Sequence, residues 1–287
     1  MGEPLPLIDA HLHLWDPGRL RYAWLDGAPA LNRPFLPADF AAASAGLPVA
    51  KAVFVQCDCD PAQALDEARW VTALAASEPR IAAIVAHAPV ELGGAAVRPH
   101  LERLTALPLV TGVRRIIQGD AAPGFCATPA FIGGVQELAA FNLSFDLCIV
   151  RAQLPDVAAL VRACPKVSFI LDHGGNPDVR AASLQPWADD LRALSRLPNV
   201  ACKLSGLVTA GWTPDLLRPV IDHIIACFGA ERTLFGGDWP VVLGAATYRA
   251  WVAAFRTATA ALPAADQARI CSGTAEALYL HDLPHRP

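Results

Sequence analysis

Eight short apolar segments recur along the 287-residue chain, and stretches of helical periodicity separate them. Most of the segments are nearly continuous apolar runs, which is typical of strands buried on both faces of a parallel sheet. They span Leu5–His13, Lys51–Gln56, Ile81–His87, Gly112–Gln118, Leu143–Val150, Val167–His173, Asn199–Ser205 and Arg232–Asp238. Eight strands that alternate with helices predict an α/β fold, namely a (β/α)8 TIM barrel.

The helical stretches support the same architecture. Two of them begin with a Thr-Pro pair, in which threonine can cap the helix and proline takes its first position. They span Pro61–Ser77, Ala95–Ala106, Thr128–Phe141, Leu154–Ala163, Leu184–Leu197, Pro214–Phe228 and Ala245–Ala261, with a further helix at Ala275–Leu280. A doubly wound open sheet is the alternative, but no glycine-rich phosphate fingerprint follows the first strand. No linker divides the chain, so residues 1–287 are predicted to form one domain.

Composition excludes several classes of protein. Hydrophobic residues make up 54% of the chain and charged residues 17%, which is enough apolar material for a large core. A net charge of −4 without a basic stripe argues against nucleic acid as a partner. We see no signal peptide and no apolar run long enough to span a membrane, so a cytoplasmic location is expected. Most of the eight cysteines are expected to be buried thiols, because the chain is too rich in core residues for a disulfide scaffold.

Polar side chains stand at the carboxyl ends of all eight predicted strands, where barrel enzymes build their active sites. One such end means little, because every strand must exit into water, but eight together indicate a site. The residues are His11, His13, Gln56, Asp58, His87, Arg114, Arg115, Asp146, Asp172, His173, Lys203, Ser205 and Asp238. The other four histidines, His100, His223, His281 and His285, are expected to lie at the surface.

His11 and His13 are two residues apart, so a strand would direct both imidazoles to one side. A lone histidine is more often a core residue, but a pair at the end of an apolar strand favours a site. His173 from the sixth strand and Asp238 from the eighth could converge on the same point. Three imidazoles and a carboxylate would suit a divalent metal ion. A carboxylate that faces water could also act as a general base.

The connection after the first strand, from Trp15 to Pro37, is long for a barrel loop. It carries Trp15, Tyr22, Trp24 and Phe35. It could be a packed surface excursion, but a long loop at the catalytic face more often forms part of a substrate pocket.

Seven stretches of the chain resemble, in the same order, the amidohydrolase superfamily and its branch of lactonase-like metal-dependent hydrolases. They are Ile8–Asp16, Phe54–Gln56, Gly112–Arg115, Phe145–Cys148, Ile170–Gly175, Cys202–Gly206 and Phe235–Val241. The resemblance implies hydrolysis of sugar-acid lactones, such as fuconolactone or rhamnonolactone, or of related dicarboxylate lactones. Decarboxylation, lactone isomerisation and non-catalytic binding of a sugar acid remain alternatives.

The chain departs from the two-metal pattern of that superfamily. Binuclear members carry a bridging lysine or glutamate on strand four and a histidine on strand five, whereas here Arg114, Arg115 and Asp146 occupy these strands. One divalent metal ion, zinc by preference, or none is therefore expected, with His11, His13, His173 and Asp238 as its ligands. Asp238 and His173 are the expected catalytic residues of a lactonase-type hydrolase. Asp238 would act as general base toward the attacking water, while His11, His13 and His173 would polarise the lactone carbonyl. A small-molecule lactone would contact Trp24, Gln56, Arg114, Asp146 and Lys203, and homo-oligomerisation stays open.

Overall fold

A computed structural model describes residues 4–120 and 122–280 of the chain. Its eight strands form one sheet, every neighbouring pair is parallel, and the order in the sheet is the order in the sequence. The strands are β1 (Leu7–Leu12), β2 (Val49–Val55), β3 (Ile81–Ala86), β4 (Val110–Arg114), β5 (Ser144–Leu147), β6 (Phe169–Leu171), β7 (Val200–Leu204) and β8 (Thr233–Phe235). The predicted TIM barrel is confirmed.

Backbone hydrogen bonds next to the predicted site close the ring between the first and last strands. The amide of Asp238 donates to the carbonyl of His11 at 2.8 Å, and the amide of His13 donates to the carbonyl of Trp239 at 2.8 Å. Leu12 and Trp239 form a parallel bridge. The closure therefore fixes β1 against the segment that carries Asp238.

The helices are α1 (Pro37–Ala43), α2 (Ala64–Leu74), α3 (Gly94–Thr105), α4 (Pro129–Glu137), α5 (Leu154–Ala163), α6 (Trp187–Ser195), α7 (Pro214–Phe228), α8 (Tyr248–Thr259), α9 (Ala264–Ala268) and α10 (Thr274–Tyr279). The hydroxyls of Thr128 and Thr213 accept hydrogen bonds at the starts of α4 and α7, as predicted. Like the five-residue α9, helix α1 was not predicted, because seven residues are too few to show a helical period. Proline at its first position and Asp39, which accepts from the amide of Leu36 at 2.9 Å, were the available signals.

Small and branched residues from alternating strand positions fill the inside of the barrel, and the carboxyl-terminal helix seals it. Ala275 and Tyr279 of α10 pack with the inward side chains of Ile8, Val53 and Ile170. Leu278 lies with Thr111, Ser144 and Ser168 at the amino ends of the strands. The helix therefore covers the amino end of the barrel and leaves the carboxyl end for a cavity.

All eight strands end one to four residues before the predicted residue, and for β6 and β8 the backbone shows why. We expected β6 to reach His173 and β8 to reach Asp238, but they end at Leu171 and Phe235. His173 has φ 56° and Asp238 has φ 53°. These left-handed conformations cannot continue a strand.

The burial of the cysteines agrees largely with the prediction, whereas that of the histidines outside the strand ends does not. All eight cysteines are free, and all but the partly exposed Cys227 are buried. The surface assignment of His100 and His223 was wrong, because both are partly buried and their Nε2 atoms face backbone carbonyls at 3.1 and 2.8 Å. His281 and His285 lie outside the described residues. Within the described ranges no helix is long and apolar enough to cross a membrane.

Candidate active site

A cavity of about 260 Å³ opens at the carboxyl ends of the strands. Of the predicted site residues, those that line it are His13, Trp24, Asp58, Arg114, His173 and Asp238. Trp15 and Trp24 meet edge to face at 5.1 Å and form one wall. The loop between Trp15 and Pro37 therefore contributes to the pocket, as expected from its length and aromatic content.

Backbone strain concentrates at this cavity. Among the described residues five non-glycine residues have positive φ, and three of them, Asp58, His173 and Asp238, line the cavity. Such conformations cost of order 1–3 kcal/mol each and persist only where the surrounding structure imposes them. Here they turn each chain sharply at the end of a strand, which aims the side chain into the cavity.

Asp9 on β1 fixes the positions of the residues around it. Its Oδ1 accepts from the amides of His11 at 3.0 Å and Gly237 at 2.6 Å, and its Oδ2 accepts from the Tyr248 hydroxyl at 2.9 Å. A side chain at position 237 would clash, because its Cβ would lie 2.3 Å from Asp9 Oδ2. Burial raises the pKa of Asp9 to about 6, although these hydrogen bonds oppose the rise.

Three imidazoles and one carboxylate meet at the floor of the cavity. The ring of His11 lies 4.8 Å from that of His13 and 4.6 Å from that of His173, measured between centroids. Oδ1 of Asp238 lies 3.5 Å from Nε2 of His13 and 3.8 Å from Nε2 of His11. The convergence predicted for these four residues is therefore present.

Hydrogen bonds define the tautomer of His13. Its Nδ1 lies 2.7 Å from the carbonyl oxygen of Val55, which can only accept, so Nδ1 carries the hydrogen. In the neutral ring the lone pair on Nε2 then faces Asp238. Burial lowers the pKa of His13, partly offset by its hydrogen bond with Asp238, and burial lowers that of His11 well below 6.5.

Asp238 keeps its charge in this environment. Burial alone would raise its pKa, but the electrostatic interaction with His173, the hydrogen bond with His13 and the electrostatic interaction with His11 lower it to about 2. The carboxylate is therefore ionised at neutral pH. It is in the form that can accept a proton or hold a cation.

A buried ionic network supports His11 from below. Nζ of Lys203 lies 3.3 Å from His11 Nδ1 and 3.0 Å from Asp172 Oδ1, and it also donates to Asp146. Arg114 donates to Asp172 at 3.0 Å, and its Nη1 lies 3.3 Å from His11 Nε2. Two cations thus offset two carboxylates and confine the imidazole between them.

Three residues that we predicted to contact substrate lie away from the cavity wall. Asp146 and Lys203 are completely buried in the network, where Asp146 also accepts from the Tyr279 hydroxyl at 2.9 and 2.8 Å. Gln56 is 1% exposed, and its Oε1 accepts from the amide of Asp58 at 2.6 Å. Direct contact with a ligand in the cavity does not fit any of the three.

Two other polar strand ends do not line the cavity either. Arg115 forms ion pairs of 3.0 Å with Glu91 and with Asp120. His87 is largely buried, and burial lowers its pKa to about 4. The polar character of these two residues is therefore explained by their position where strands lead into the surrounding loops.

Two overlapping groups of side chains could hold a metal ion. The first consists of His11, His13 and Asp238, and the second of His11, Asp172 and His173. The single shell of four predicted ligands is therefore divided, and His173 belongs with Asp172 instead. Asp172 already faces Lys203 and Arg114 at 3.0 Å, which leaves the first group as the better cation site.

Several residues of the site were not singled out from the sequence. Ile116, Gln118, Cys148 and Val241 line the cavity, and Cys57 lies beside His13, with Sγ 3.6 Å from Nδ1. Behind Cys57, buried Glu67 accepts from its amide at 3.2 Å. The clearest sequence signal for a further site residue was Asp9, a carboxylate within an apolar strand. A buried carboxylate needs hydrogen-bond partners, so its presence there predicts polar groups around it.

Comparison with known proteins places this geometry in a family. The amidohydrolase family matches residues 8–280. An L-fucono-1,5-lactonase from Burkholderia multivorans is 34% identical over 95% of this chain and 95% of its own. A crystal structure of an amidohydrolase from Burkholderia multivorans with bound zinc is 30% identical, covers 97% of this chain and 100% of its own, and superposes with a TM-score of 0.86. A putative 2-pyrone-4,6-dicarboxylic acid hydrolase from Pseudomonas putida shares the fold, at 23% identity over 98% of this chain and 100% of its own, with a TM-score of 0.75. The chain belongs to the amidohydrolase family.

Proposed function

We propose that this protein is a hydrolase that opens the lactone of a sugar acid. The observation that carries the proposal is the Asp238 carboxylate beside two buried imidazoles at the floor of a cavity with tryptophan walls. The relationship to an L-fucono-1,5-lactonase over nearly the whole chain supports the same reaction. Aromatic faces suit the apolar carbons of a sugar ring, and the polar floor suits an ester carbonyl.

Asp238 acts as the general base. It takes a proton from the attacking water while the water oxygen bonds to the lactone carbonyl carbon. When the ring C–O bond breaks, the same proton passes to the departing ring oxygen. The hydroxy acid formed then releases one proton to the solvent at neutral pH, which gives the reaction a direct readout.

His173 stabilises the negative charge that develops on the carbonyl oxygen. Its Nδ1 lies 2.8 Å from the Ser205 hydroxyl. When that hydroxyl donates to Nδ1, the neutral ring keeps its hydrogen on Nε2 as a donor. A donor placed where charge develops is worth roughly 10²–10³-fold in rate.

The donor set at Asp238 fits one divalent metal ion. The neutral His13 ring presents the lone pair of Nε2 toward the Asp238 carboxylate, and Nε2 of His11 faces the same oxygen. His11, His13 and Asp238 would hold the ion, which would supply Lewis acidity and lower the pKa of a bound water. We expect metal analysis to find at most one divalent ion per chain, and two equivalents would contradict this ligand assignment.

Other residues of the site position these groups. Trp24 forms the wall, and its Nε1 donates to the Cys57 carbonyl at 2.8 Å, which holds the ring in place. Arg114 and Lys203 fix His11, and Asp146 fixes Lys203. Gln56 holds the turn at Asp58.

Proton release from a panel of sugar lactones, with and without a chelator, tests the proposal. We expect release from at least one neutral lactone, with L-fucono-1,5-lactone as the first candidate. Identification of the product as the free hydroxy acid separates hydrolysis from isomerisation, and absence of carbon dioxide separates it from decarboxylation. Failure to open any lactone under either condition would refute the proposal.

A further inference from the structure

The charges that a ligand can reach in the cavity are mostly negative. The carboxyl groups of Asp58 and Asp238 line it. Among the lining residues in the described parts of the chain, Arg114 is the one with a permanent positive charge. Whether a lactone with a carboxylate can bind in the cavity therefore depends on whether Arg114 is free to bind an anion.

Arg114 is already committed to groups of the protein. Its Nη1 donates to Asp172 at 3.0 Å, and its Nη2 donates to the backbone carbonyl of Gln56 at 2.5 Å. The residue is 3% exposed. A substrate carboxylate that paired with Nη1 would compete with Asp172, and displacement of Asp172 would leave that buried carboxylate with one cation fewer.

Asp58 lies on the exposed side of the cavity and is held there by the backbone. Its φ is 56°, and its amide donates to Gln56 Oε1 at 2.6 Å. The residue is exposed to solvent, unlike its buried neighbours Cys57 and Cys59. Its carboxylate is therefore available to accept hydrogen bonds from ligand hydroxyls, and it repels ligand anions.

We propose that this cavity selects uncharged, polyhydroxylated lactones, that it excludes lactones with ring carboxylates, and that Asp58 is the residue that makes this distinction. The inference rests on the lactone hydrolysis proposed above. Ring opening converts the neutral ester into a carboxylate, so the product gains a negative charge in the cavity that Asp58 lines. The same charge arrangement that admits the neutral substrate thus weakens binding of its product.

Removal of the charge at position 58 tests the proposal. Asparagine and glycine both tolerate positive φ, so Asp58→Asn and Asp58→Gly should preserve the turn. Glu102→Gln, on the exposed face of α3, removes one negative charge far from the cavity and serves as the matched control. Each protein is assayed with L-fucono-1,5-lactone and with 2-pyrone-4,6-dicarboxylate, and inhibition by L-fuconate is measured.

The wild-type protein should open the neutral lactone and discriminate against the dicarboxylate by at least about tenfold in kcat/KM. Both Asp58 variants should reduce that ratio and lower the inhibition constant of L-fuconate about tenfold, as expected for one charge a few ångströms away. Glu102→Gln should change neither quantity. Comparable wild-type activity on both lactones, or unchanged L-fuconate inhibition in both Asp58 variants, would overturn the inference and leave lactone hydrolysis intact. Failure to open these two lactones and every other lactone of the panel would overturn both proposals.

Discussion

Replacement of Lys203 by methionine tests the buried network beneath the active site. Lys203 is 0% exposed and faces Asp172 at 3.0 Å and His11 at 3.3 Å, while it also donates to Asp146. Methionine keeps most of the side-chain volume but removes the charge. Two buried carboxylates then share one cation fewer, and loss of one partner from a buried ion pair typically costs about 3–5 kcal/mol.

The expected shift in melting temperature follows from the size of the chain. Unfolding entropy for 287 residues is about 0.6 kcal/mol/K, so this loss corresponds to a decrease of roughly 5–8 °C. The decrease should be smaller at pH 5 than at pH 8. Burial raises the pKa of Asp146 to about 6 even with Lys203 beside it. Without the lysine, the Asp146 carboxylate of the folded protein takes up a proton more readily as the pH falls, and its unpaired charge is then removed.

Thermal unfolding of three variants provides the assay. Lys51→Met removes a lysine from an exposed pair with Glu276 at 3.1 Å, and such pairs contribute at most about 1 kcal/mol. Adding Asp146→Asn to Lys203→Met removes the unpaired carboxylate and should restore part of the lost stability. If Lys203→Met and Lys51→Met lower the melting temperature equally, and pH has no effect, our account of the network is refuted.

Two further substitutions test residues packed behind the site, Glu67 behind Cys57 and Gly206 beside His173. Burial raises the pKa of Glu67 to about 8 from 4.5, so the folded protein holds a proton that the unfolded chain has lost, and stability falls as pH rises between these values. Glu67→Gln removes this dependence, so its melting temperature relative to wild type should rise from about pH 5 to pH 8 and then stay level; a difference that does not vary with pH would contradict the assignment. Gly206→Ala would place a Cβ 2.4 Å from Nδ1 of His173 at a residue with φ 59°. We expect turnover to fall at least tenfold, and unchanged turnover would show that the position of His173 is not critical.

The sequence predicted the barrel because its signal is repeated eight times. Burial on both faces gave the strands continuous apolar runs, and α5 and α7 have the predicted bounds because a proline or an apolar period marks them. The predicted ends of β6 and β8, His173 and Asp238, lie beyond the observed ends of these strands. A positive φ at His173 and Asp238 depends on contacts across the barrel, which a local pattern does not contain. That residues 1–287 form one domain stays a prediction.

The candidate site was predictable in its members and less so in their arrangement. Strand ends placed His11, His13, His173 and Asp238 together, since parallel strands share one carboxyl edge. The sequence does not show how deeply a side chain at a strand end is buried. Lys203 and Asp146 were therefore expected to line the pocket, although they lie beneath it. Their positions follow from the ionic network and from Tyr279, which comes from the far end of the chain.

The central claim is that Asp238 transfers the proton in lactone opening, and turnover of Asp238→Asn tests it most directly. The amide is nearly isosteric, so the melting temperature should move little while turnover on the best lactone falls about 10²–10⁴-fold. Bound metal is measured on the same preparation, since loss of metal together with activity would assign Asp238 chiefly as a ligand. Near-wild-type turnover per folded molecule, with a lowered melting temperature, would contradict the claim and the mechanism built on it.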